Sequence, residues 1–313
     1  MEVKILEKEL EKADKYAKRG KLWEIVGNYK DKALDIYDHV ATQYKLLRMW
    51  GDAAKVYEKA ALITSPTDNF TRRELYTNAA KAYKNNSDTI NMLRCYKIIC
   101  ELAIAEDNLR AVAISYKEIG ETQEKENLLL EAIASYESAN KYFLANGSSN
   151  SDADKVLIRV AEIAIKLEDY KKAYGIYEKI SETLLDNSSM TFIVPDYLFK
   201  AGICRMADVK STDNTFLERY KNLDPKFDES DECKLLESCI KAIDEINVDD
   251  FTNAIAKYEK YRASKLVGTT IKMLYKIKKL IIDRRDNTVD ADVIDELNTG
   301  VKTDVKTDID KLL

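Results

Sequence analysis

The apolar and polar positions of this chain follow a pattern that recurs about every 40 residues. Each copy has a large apolar residue, an alanine three positions later and a tyrosine four positions after that. The clear copies are Trp50, Ala53, Tyr57; Leu129, Ala132, Tyr136; Tyr170, Ala173, Tyr177; and Phe251, Ala254, Tyr258. A weaker copy ends at Tyr96, with Met92 in place of the alanine, and a degenerate one ends near Tyr220. We call this pattern the repeat signature; its closing tyrosines are 39, 40, 41, 43 and 38 residues apart.

Self-similarity of this length predicts stacked helical hairpins, because each hairpin buries its apolar face only against its neighbours. Three prolines and nine glycines in 313 residues favour an all-α chain, a hairpin solenoid similar to tetratricopeptide (TPR) repeats. Tyrosine suits the hairpin interfaces, since its ring packs while its hydroxyl reaches water or a backbone group. We predict a first helix over residues 2–19 and turns at 65–68, 85–88, 146–152, 186–189, 211–214 and 224–225.

Charge and cysteine content narrow the classes of function. The formal net charge of -5 argues against sequence-independent binding of nucleic acid. The five cysteines include no CxxC pair, which favours buried free thiols in a reducing compartment. The sequence contains neither a secretory signal nor an apolar run of about 18–20 residues, so we expect a cytosolic protein.

Residues that could carry chemistry are sparse. The chain has one histidine, His39, within a helical pattern, and without a second histidine or clustered cysteines no metal-ligand set forms. Glycine-rich phosphate loops and a nucleophile elbow are missing, and paired carboxylates such as Glu11 and Asp14 are typical of solvated helix faces. We therefore expect a protein that is not an enzyme and has no cofactor or metal.

Composition changes near the C-terminus. The segment 253–283 has helical periodicity and a basic face formed by Lys257, Lys260, Arg262, Lys265, Lys272, Lys276, Lys278 and Lys279. After Asp286 the chain becomes acidic and weakly apolar, and we expect a flexible tail with at most one short helix. The predicted organisation is a hairpin solenoid over 1–225, a C-terminal helical bundle over 226–285 and a flexible acidic tail over 286–313.

Three stretches resemble the soluble NSF attachment protein (SNAP) family, the alpha-type more than the gamma-type. They are ALDIYDHVATQYKLLRMWGDAAKVYEKAA (33–61), SNSDADKVLIRVAEIAIKLEDYKKAYGIYEKI (149–180) and PKFDESDECKLLESCIKAIDEINVDDFTNAIAKYEKY (225–261). The runs Glu232-Cys233-Lys234-Leu235 and Asn247-Val248-Asp249 are the most specific, because hairpin packing requires neither of them. The resemblance covers residues from about 5 to 285.

The resemblance implies an adaptor in vesicle fusion and intracellular protein transport, including transport between the ER and the Golgi. It implies a right-handed, curved sheet of antiparallel helices that ends in a helical bundle. Several copies would wrap a SNARE four-helix bundle and recruit NSF, a hexameric AAA+ ATPase, to disassemble it. The chain would be cytoplasmic and peripherally associated with membranes.

Three sites follow from the resemblance. Lys155 and Arg159, four residues apart on one helix face, match basic positions that bind the acidic SNARE bundle. Arg110 lies at a third such position, with Ala111 as the alternative match. The other interpretation of these side chains is ordinary solvated charge.

The second site is a membrane contact formed by Leu22, Trp23, Ile25 and Val26, beside basic residues that suit lipid headgroups. Glu24 interrupts this apolar patch, and Trp23 packing under the first hairpin is the alternative. The contact would be weak alone and would act together with SNARE binding.

The third site is an acidic surface that docks onto the ATPase. Glu229, Asp244 and Glu245 match acidic positions of the family, whereas Lys241 reverses a fourth. Leu312 is the penultimate residue, as in the family, but about two dozen extra residues follow Asp286.

Three alternative functions remain at the level of sequence. One is a SNAP-like scaffold that binds or sequesters SNAREs without productive ATPase stimulation, favoured by Lys241 and the long tail. The other is a general peptide-binding repeat protein, disfavoured because the repeats are nearer 40 residues than 34. A lipid-binding role without SNAREs is the weakest hypothesis.

Overall fold

The computed structural model describes residues 2–18, 28–147, 150–186, 191–208, 215–261, 266 and 268–287. Within these ranges every regular element is helical, which confirms the all-α class. The chain forms two compact units, Met1–Val160 and Ala161–Leu313, with the division falling inside one helix. The boundaries at residues 225–226 and 285–286 stay predictions.

The first unit consists of consecutive helices, and from α1 to α7 each helix packs on the next. They are α1 (Glu2–Ala17), α2 (Tyr29–Leu46), α3 (Trp50–Ile63), α4 (Asn69–Asn85), α5 (Thr89–Ala105), α6 (Leu109–Lys125), α7 (Leu129–Ala145) and the first part of α8 (Asn150–Lys166). Helix α1 ends two residues before the predicted residue 19.

The second unit begins in α8. Its further helices are α9 (Tyr170–Leu185), α10 (Val194–Ala207), α11 (Phe216–Leu223), α12 (Pro225–Asp228), α13 (Asp231–Asp244), α14 (Val248–Tyr261) and α15 (269–287), with a 3-10 turn at Thr191–Ile193. The predicted basic segment 253–283 therefore spans parts of two helices, α14 and α15.

Short turns reverse the chain at regular intervals. After α4, the N–H of Asp88 donates to the carbonyl of Tyr83 at 3.0 Å while Ser87 adopts a φ of 56°. This is a Schellman arrangement, in which a left-handed residue satisfies the last carbonyls of a helix. The same 6→1 bond and positive φ recur at Arg48, Asp107, Asn127, Glu168 and Ile246.

The residue that follows the left-handed position often caps the next helix. The Asp88 carboxylate accepts from the N–H of Asn91 at 3.1 Å, and Asn108 accepts from Ala111 at 3.1 Å. Asp169 caps α9 in the same way, and Asp68 caps α4 without a left-handed residue before it. One short segment thus ends one helix and starts the next, which supports the predicted turns at 65–68 and 85–88.

The repeat signature marks the buried side of alternate helices. All six closing tyrosines are buried, and the signature positions Ala53, Met92, Ala132 and Ala173 are almost completely enclosed. In the copy that ends at Tyr136, a Cβ on Gly120 of α6 would lie 3.0 Å from the tyrosine ring, so glycine permits the close approach of α6 and α7.

The tyrosine hydroxyls have a different partner from the one expected. Tyr96, Tyr136, Tyr220 and Tyr258 each donate to a carboxylate side chain, those of Glu118, Glu124, Glu178 and Glu232 respectively. The prediction of water or backbone partners was wrong for these four residues. Long-range carboxylates, which hydropathy does not reveal, satisfy the buried hydroxyls instead.

Candidate functional site

The basic residues predicted to bind SNAREs lie on α6 and α8 in the first unit. Arg110 is in the first turn of α6, and Lys155 and Arg159 lie one turn apart on α8. Lys155 and Arg159 line one open groove of about 590 Å³. The α6 side of that groove carries Lys117, Glu121, Glu124 and Lys125. We call it the α6–α8 groove.

Arg159 is held by a carboxylate at the edge of the α6–α8 groove. Its Nη2 donates to Oε1 and Oε2 of Glu124 at 2.8 and 2.9 Å. The Tyr136 hydroxyl donates to the same Oε2 at 3.2 Å. Burial first, and then the Glu124 carboxylate, raise the pKa of Tyr136, so its hydroxyl remains a donor. The guanidinium is therefore oriented while 47% of the Arg159 side chain stays exposed.

Arg110 and Lys155 share one carboxylate. Arg110 Nη2 lies 3.2 Å from Asp152 Oδ2, and Lys155 Nζ lies 3.5 Å from Asp152 Oδ1. Both basic side chains are more than half exposed. The structure thus brings Arg110 and Lys155 together through Asp152, and Lys155 links them to the groove that Arg159 lines. Exposed ion pairs of this kind contribute only about 0.2–1 kcal/mol each, so their partners exchange readily.

The predicted acidic residues are not gathered in one place. Glu229 precedes Ser230, the N-cap of α13, whereas Asp244 ends that helix and Glu245 caps its C-terminus. Fourteen helical residues separate the two ends by about 20 Å. All three carboxylates are exposed. Lys241 stands where the resemblance predicts an acid, and its Nζ lies 3.9 Å from Oε1 of Glu245.

The acids at the end of α13 oppose the helix dipole. The last turn of a helix carries partial negative charge, which disfavours carboxylates by about 0.3–1 kcal/mol. Asp244 and Glu245 lie in that turn, whereas Asp231 and Glu232 occupy the favourable first turn. Local stability therefore does not account for Asp244 and Glu245.

The remaining predicted site residues lie outside the described ranges. These are the membrane-contact residues Leu22, Trp23, Ile25 and Val26, and the penultimate Leu312. The membrane contact and the role of the C-terminal tip stay predictions.

A partly buried charged cluster in the second unit was not predicted from the sequence. Arg205 of α10 forms a bidentate pair with Glu178 of α9, at 2.6 and 3.1 Å, and Tyr220 of α11 donates to the same glutamate. The Arg205 guanidinium lies 4.1 Å from the centre of the Tyr174 ring. Burial acts to lower the pKa of Arg205, but Glu178 and Tyr220 outweigh it and raise that pKa. The one feature of the sequence that pointed to this cluster was Tyr220, which closes the degenerate copy of the repeat signature.

Other candidate chemistry is absent from the described residues. All five cysteines are buried, and burial raises the pKa of each thiol, to about 11 for Cys100 and Cys233. Within the described ranges, no group of three or more His, Cys, Asp or Glu residues is placed to hold a metal ion. None of the helices described is both long enough and apolar enough to cross a bilayer.

Comparison with known proteins assigns a family. The sequence model of "Soluble NSF attachment protein, SNAP" matches residues 6–282. The alpha-soluble NSF attachment protein of Mus musculus is 30% identical over 253 residues, covering 80% of this chain and 84% of that protein. The Vitis vinifera alpha protein is 30% identical and covers 83% of this chain and 89% of that protein.

A probable vesicular-fusion protein, the sec17 homolog of Neurospora crassa, is 29% identical and covers 82% of this chain and 89% of that protein. Among solved structures, the chain is similar to a signal-transduction ATPase with a tetratricopeptide-repeat sensor from Pyrococcus horikoshii. That match has a TM-score of 0.45 and 17% identity and covers 87% of this chain and 44% of that one, which is too distant to support an argument. The family match spans both compact units, and the chain belongs to the soluble NSF attachment protein family, whose members are adaptors rather than enzymes.

Proposed function

We propose that this chain is an adaptor that binds assembled SNARE complexes and recruits NSF to disassemble them in vesicle fusion. Family membership supports the role in general. The observation that carries the SNARE part is the connected set Arg110, Lys155 and Arg159, displayed by two helices that flank one groove. Several spaced cations facing an acidic four-helix bundle act together on association rate and register, although each contributes little alone.

The test is binding of a purified SNARE complex to Lys155→Glu with Arg159→Glu. We expect at least a tenfold loss of affinity, because two attractions become repulsions. The matched control is Lys97→Glu with Lys141→Glu, which makes the same change of charge at two exposed lysines that do not line the groove. Helicity measured by circular dichroism should be unchanged in both variants.

A carboxylate that replaces the Arg159 guanidinium would face Glu124 and could disturb the fold. A second variant therefore separates a loss of binding from a loss of folding. Lys155→Gln with Arg159→Gln removes the charges without adding repulsion and should weaken binding by about half as much in free-energy terms. If SNARE binding is the same in the wild type and in both groove variants, the assignment of this groove is wrong.

We propose that Asp244 and Glu245 take part in docking NSF. Their unfavourable position at the end of α13 supports a role outside the fold. Asp244→Lys with Glu245→Lys should leave SNARE binding intact and prevent recruitment of the ATPase. Because Glu229 lies about 20 Å away along α13, Glu229→Lys tests whether the docking surface spans the whole helix. Loss of recruitment in both variants would indicate one extended surface, and loss in the first alone would confine it to the end of α13.

A second candidate function is a scaffold that binds SNAREs but does not stimulate disassembly. The ion pair between Lys241 and Glu245 favours it, since the lysine partly neutralises a carboxylate of the proposed docking surface. ATP-dependent disassembly of a SNARE complex by NSF, with this chain as the sole adaptor, separates the two functions. Disassembly that requires the chain supports the adaptor, whereas SNARE binding without disassembly supports the scaffold.

The proposal includes several copies around one SNARE complex and a weak membrane-surface contact by Leu22, Trp23, Ile25 and Val26. Trp23→Asp should reduce disassembly of membrane-anchored SNARE complexes and leave disassembly of soluble complexes unchanged. An equal effect on both substrates would contradict the membrane role.

A further inference from the structure

Helices α13 and α14 line a small open cleft in the second unit. Its volume is about 200 Å³, and it is lined by Asp231, Lys234, Leu235 and Ser238 of α13 and by Ala254, Lys257 and Tyr258 of α14. We call it the α13–α14 cleft. Sites for drug-sized ligands occupy about 300–1,000 Å³, so this cleft has room for one side chain with its flanking backbone rather than for a larger molecule.

The apolar walls of the α13–α14 cleft are held in place by the fold. Leu235 and Tyr258 are both buried. The Tyr258 hydroxyl donates to the buried carboxylate of Glu232 at 3.1 Å, and its ring stacks on that of Phe199 with the ring centres 5.9 Å apart. Because Tyr258 is fixed at its hydroxyl and on one face of its ring, little side-chain entropy remains to be lost when a ligand packs against it.

The last copy of the repeat signature differs from earlier copies at this cleft. The residue before the closing tyrosine is buried in three earlier copies, as Val56, Cys95 and Ser135. In α14 the same position holds the exposed Lys257, and the signature alanine, Ala254, is only partly buried. The terminal repeat of a solenoid needs a polar outer face for solubility, which accounts for an exposed lysine but not for a cleft with apolar walls.

The charges around the cleft are mainly positive. Lys234 is 64% exposed, and its Nζ lies 3.6 Å from Oδ1 of Asp231 on the same helix. Lys257 has no hydrogen bond or ion pair within the described part of the chain. An exposed pair such as that of Lys234 contributes only about 0.2–1 kcal/mol. Two lysines beside one aspartate therefore leave positive charge available to an anionic ligand.

Ser238 adds a hydrogen-bond acceptor to the cleft. Its hydroxyl donates to the carbonyl of Lys234 at 2.8 Å, which leaves the lone pairs of its oxygen for an external donor. The N–H of a peptide bond is such a donor. The apolar walls, the lysines and the Ser238 oxygen thus match an apolar side chain, a carboxylate and a backbone amide, which an acidic peptide offers within two residues.

We propose that the α13–α14 cleft binds an acidic peptide segment of a partner protein. One apolar side chain of that segment packs against Leu235, Ala254 and Tyr258, and a neighbouring carboxylate pairs with Lys257. Side chains that fill well-packed pockets carry most of the binding energy of protein interfaces. The proposal does not use the cations of the α6–α8 groove or the acids at the end of α13. Its test needs neither SNAREs nor NSF, so its failure and that of the proposed function are distinguishable.

The experiment is methyl NMR of the full-length chain, titrated with the probe N-acetyl-Phe-Asp amide. We expect saturable shifts of the Leu235 and Ala254 methyl signals. Two matched probes separate the two parts of the ligand, since N-acetyl-Phe-Lys amide reverses the charge and N-acetyl-Ala-Asp amide removes the large apolar side chain. Each matched probe should bind at least about fivefold more weakly, because charge and apolar contact both contribute.

Two variants test whether the probe binds in the cleft. Lys257→Glu should weaken binding of N-acetyl-Phe-Asp amide about tenfold and strengthen that of N-acetyl-Phe-Lys amide, because the charge at the cleft is reversed. Its helicity should match the wild type, since Lys257 is exposed. Ala254→Leu should fill the cleft and abolish binding, as followed by the Leu235 methyl signals. Lys97→Glu, an exposed substitution in the first unit, should have no effect.

Three results of the titration would overturn the proposal. They are the absence of methyl shifts, equal affinity for the acidic and the basic probe, and unchanged affinity in Lys257→Glu. Equal binding of the two acidic probes would also contradict it, because the cleft would then bind simple anions without an apolar contact. Methyl signals that move on dilution without any probe would assign the cleft to a second copy of this chain instead of a partner peptide.

Discussion

Two Arg–Glu–Tyr clusters, one in each unit, have the same chemistry and different surroundings. In the first, Arg159 pairs with Glu124, which accepts from Tyr136; in the second, Arg205 pairs with Glu178, which accepts from Tyr220. The Arg159 side chain is 47% exposed, whereas that of Arg205 is 10% exposed and lies against the Tyr174 ring.

Exposure decides what each cluster can do. The Arg205 side chain is enclosed by its neighbours and offers little surface to an external ligand, so the second cluster links α9, α10 and α11 structurally. Arg159 can offer the exposed half of its side chain to an acidic ligand while it stays paired with Glu124, whose own side chain is 11% exposed, so the first cluster suits binding. The same residue types therefore serve stability in one unit and, under the proposed function, recognition in the other.

The largest expected effect is a loss of stability when a substitution breaks the second cluster. Arg205→Ala should lower the free energy of unfolding by about 2 kcal/mol, because it removes an enclosed guanidinium that links three helices and leaves the partly buried Glu178 carboxylate without its cation. Arg159→Ala, the matched variant in the first unit, should cost about 1 kcal/mol, because the Arg159 side chain is 47% exposed and water can enter the space that it leaves beside Glu124. Urea denaturation followed by circular dichroism measures both, and equal losses would contradict the comparison.

Replacing the tyrosine of each cluster with phenylalanine removes one hydroxyl and sharpens the comparison. Tyr220→Phe should cost about 1.5 kcal/mol, since the partly buried Glu178 carboxylate loses a donor. Tyr136→Phe should cost about 0.5 kcal/mol, because the lost bond is 3.2 Å long and Glu124 keeps both of its bonds from Arg159. The difference between the two midpoints of urea denaturation is the quantity to measure, and a larger loss for Tyr136→Phe would invert our interpretation.

Removing the carboxylate partner in the first cluster should favour an external acidic ligand. Glu124→Gln releases Arg159 from its internal competitor, and we expect affinity for the SNARE complex to rise about threefold. Fluorescence titration measures it, with Glu131→Gln, an exposed substitution elsewhere, as the control. A fall in affinity would mean that Glu124 serves mainly to orient the guanidinium.

The smallest effects concern the two ends of α13. Asp244→Lys should raise stability by about 0.4 kcal/mol, because a cation suits the C-terminal end of a helix. Glu229→Lys, near the N-terminal end, should lower it by a similar amount. Thermal denaturation of the two single variants tests whether their stabilities change in opposite directions. A change in the same direction would contradict the effect of the helix dipole.

The repeat signature predicted the buried positions well, because burial along a helix follows local periodicity. Tyr57, Tyr96, Tyr136 and Tyr177 are all buried as expected. The partner of Arg159 was not predictable in this way, since Glu124 lies 35 residues away and only the packing of α6, α7 and α8 brings it near. Likewise, the resemblance grouped Glu229 with Asp244, but the length of α13 separates them.

The left-handed turn residues were equally hard to predict. Glycine is the usual signal for a positive φ, yet this chain has Arg48, Glu168 and Ile246 there. Backbone hydrogen bonds that close the Schellman turns hold these residues in place. Such bonds do not depend on side-chain hydropathy, so the pattern of apolar residues does not predict them. The predicted membrane and C-terminal contacts stay predictions.

The buried thiols make this chain suitable for site-specific labelling. Thiol reagents attack the thiolate, and all five cysteines are shielded and hold their protons tightly. A cysteine introduced at an exposed position such as Lys97 should therefore react with maleimide dyes far faster than the native residues do. Fluorescence studies of the folded protein can then proceed in the natural cysteine background, without the core substitutions that labelling usually requires.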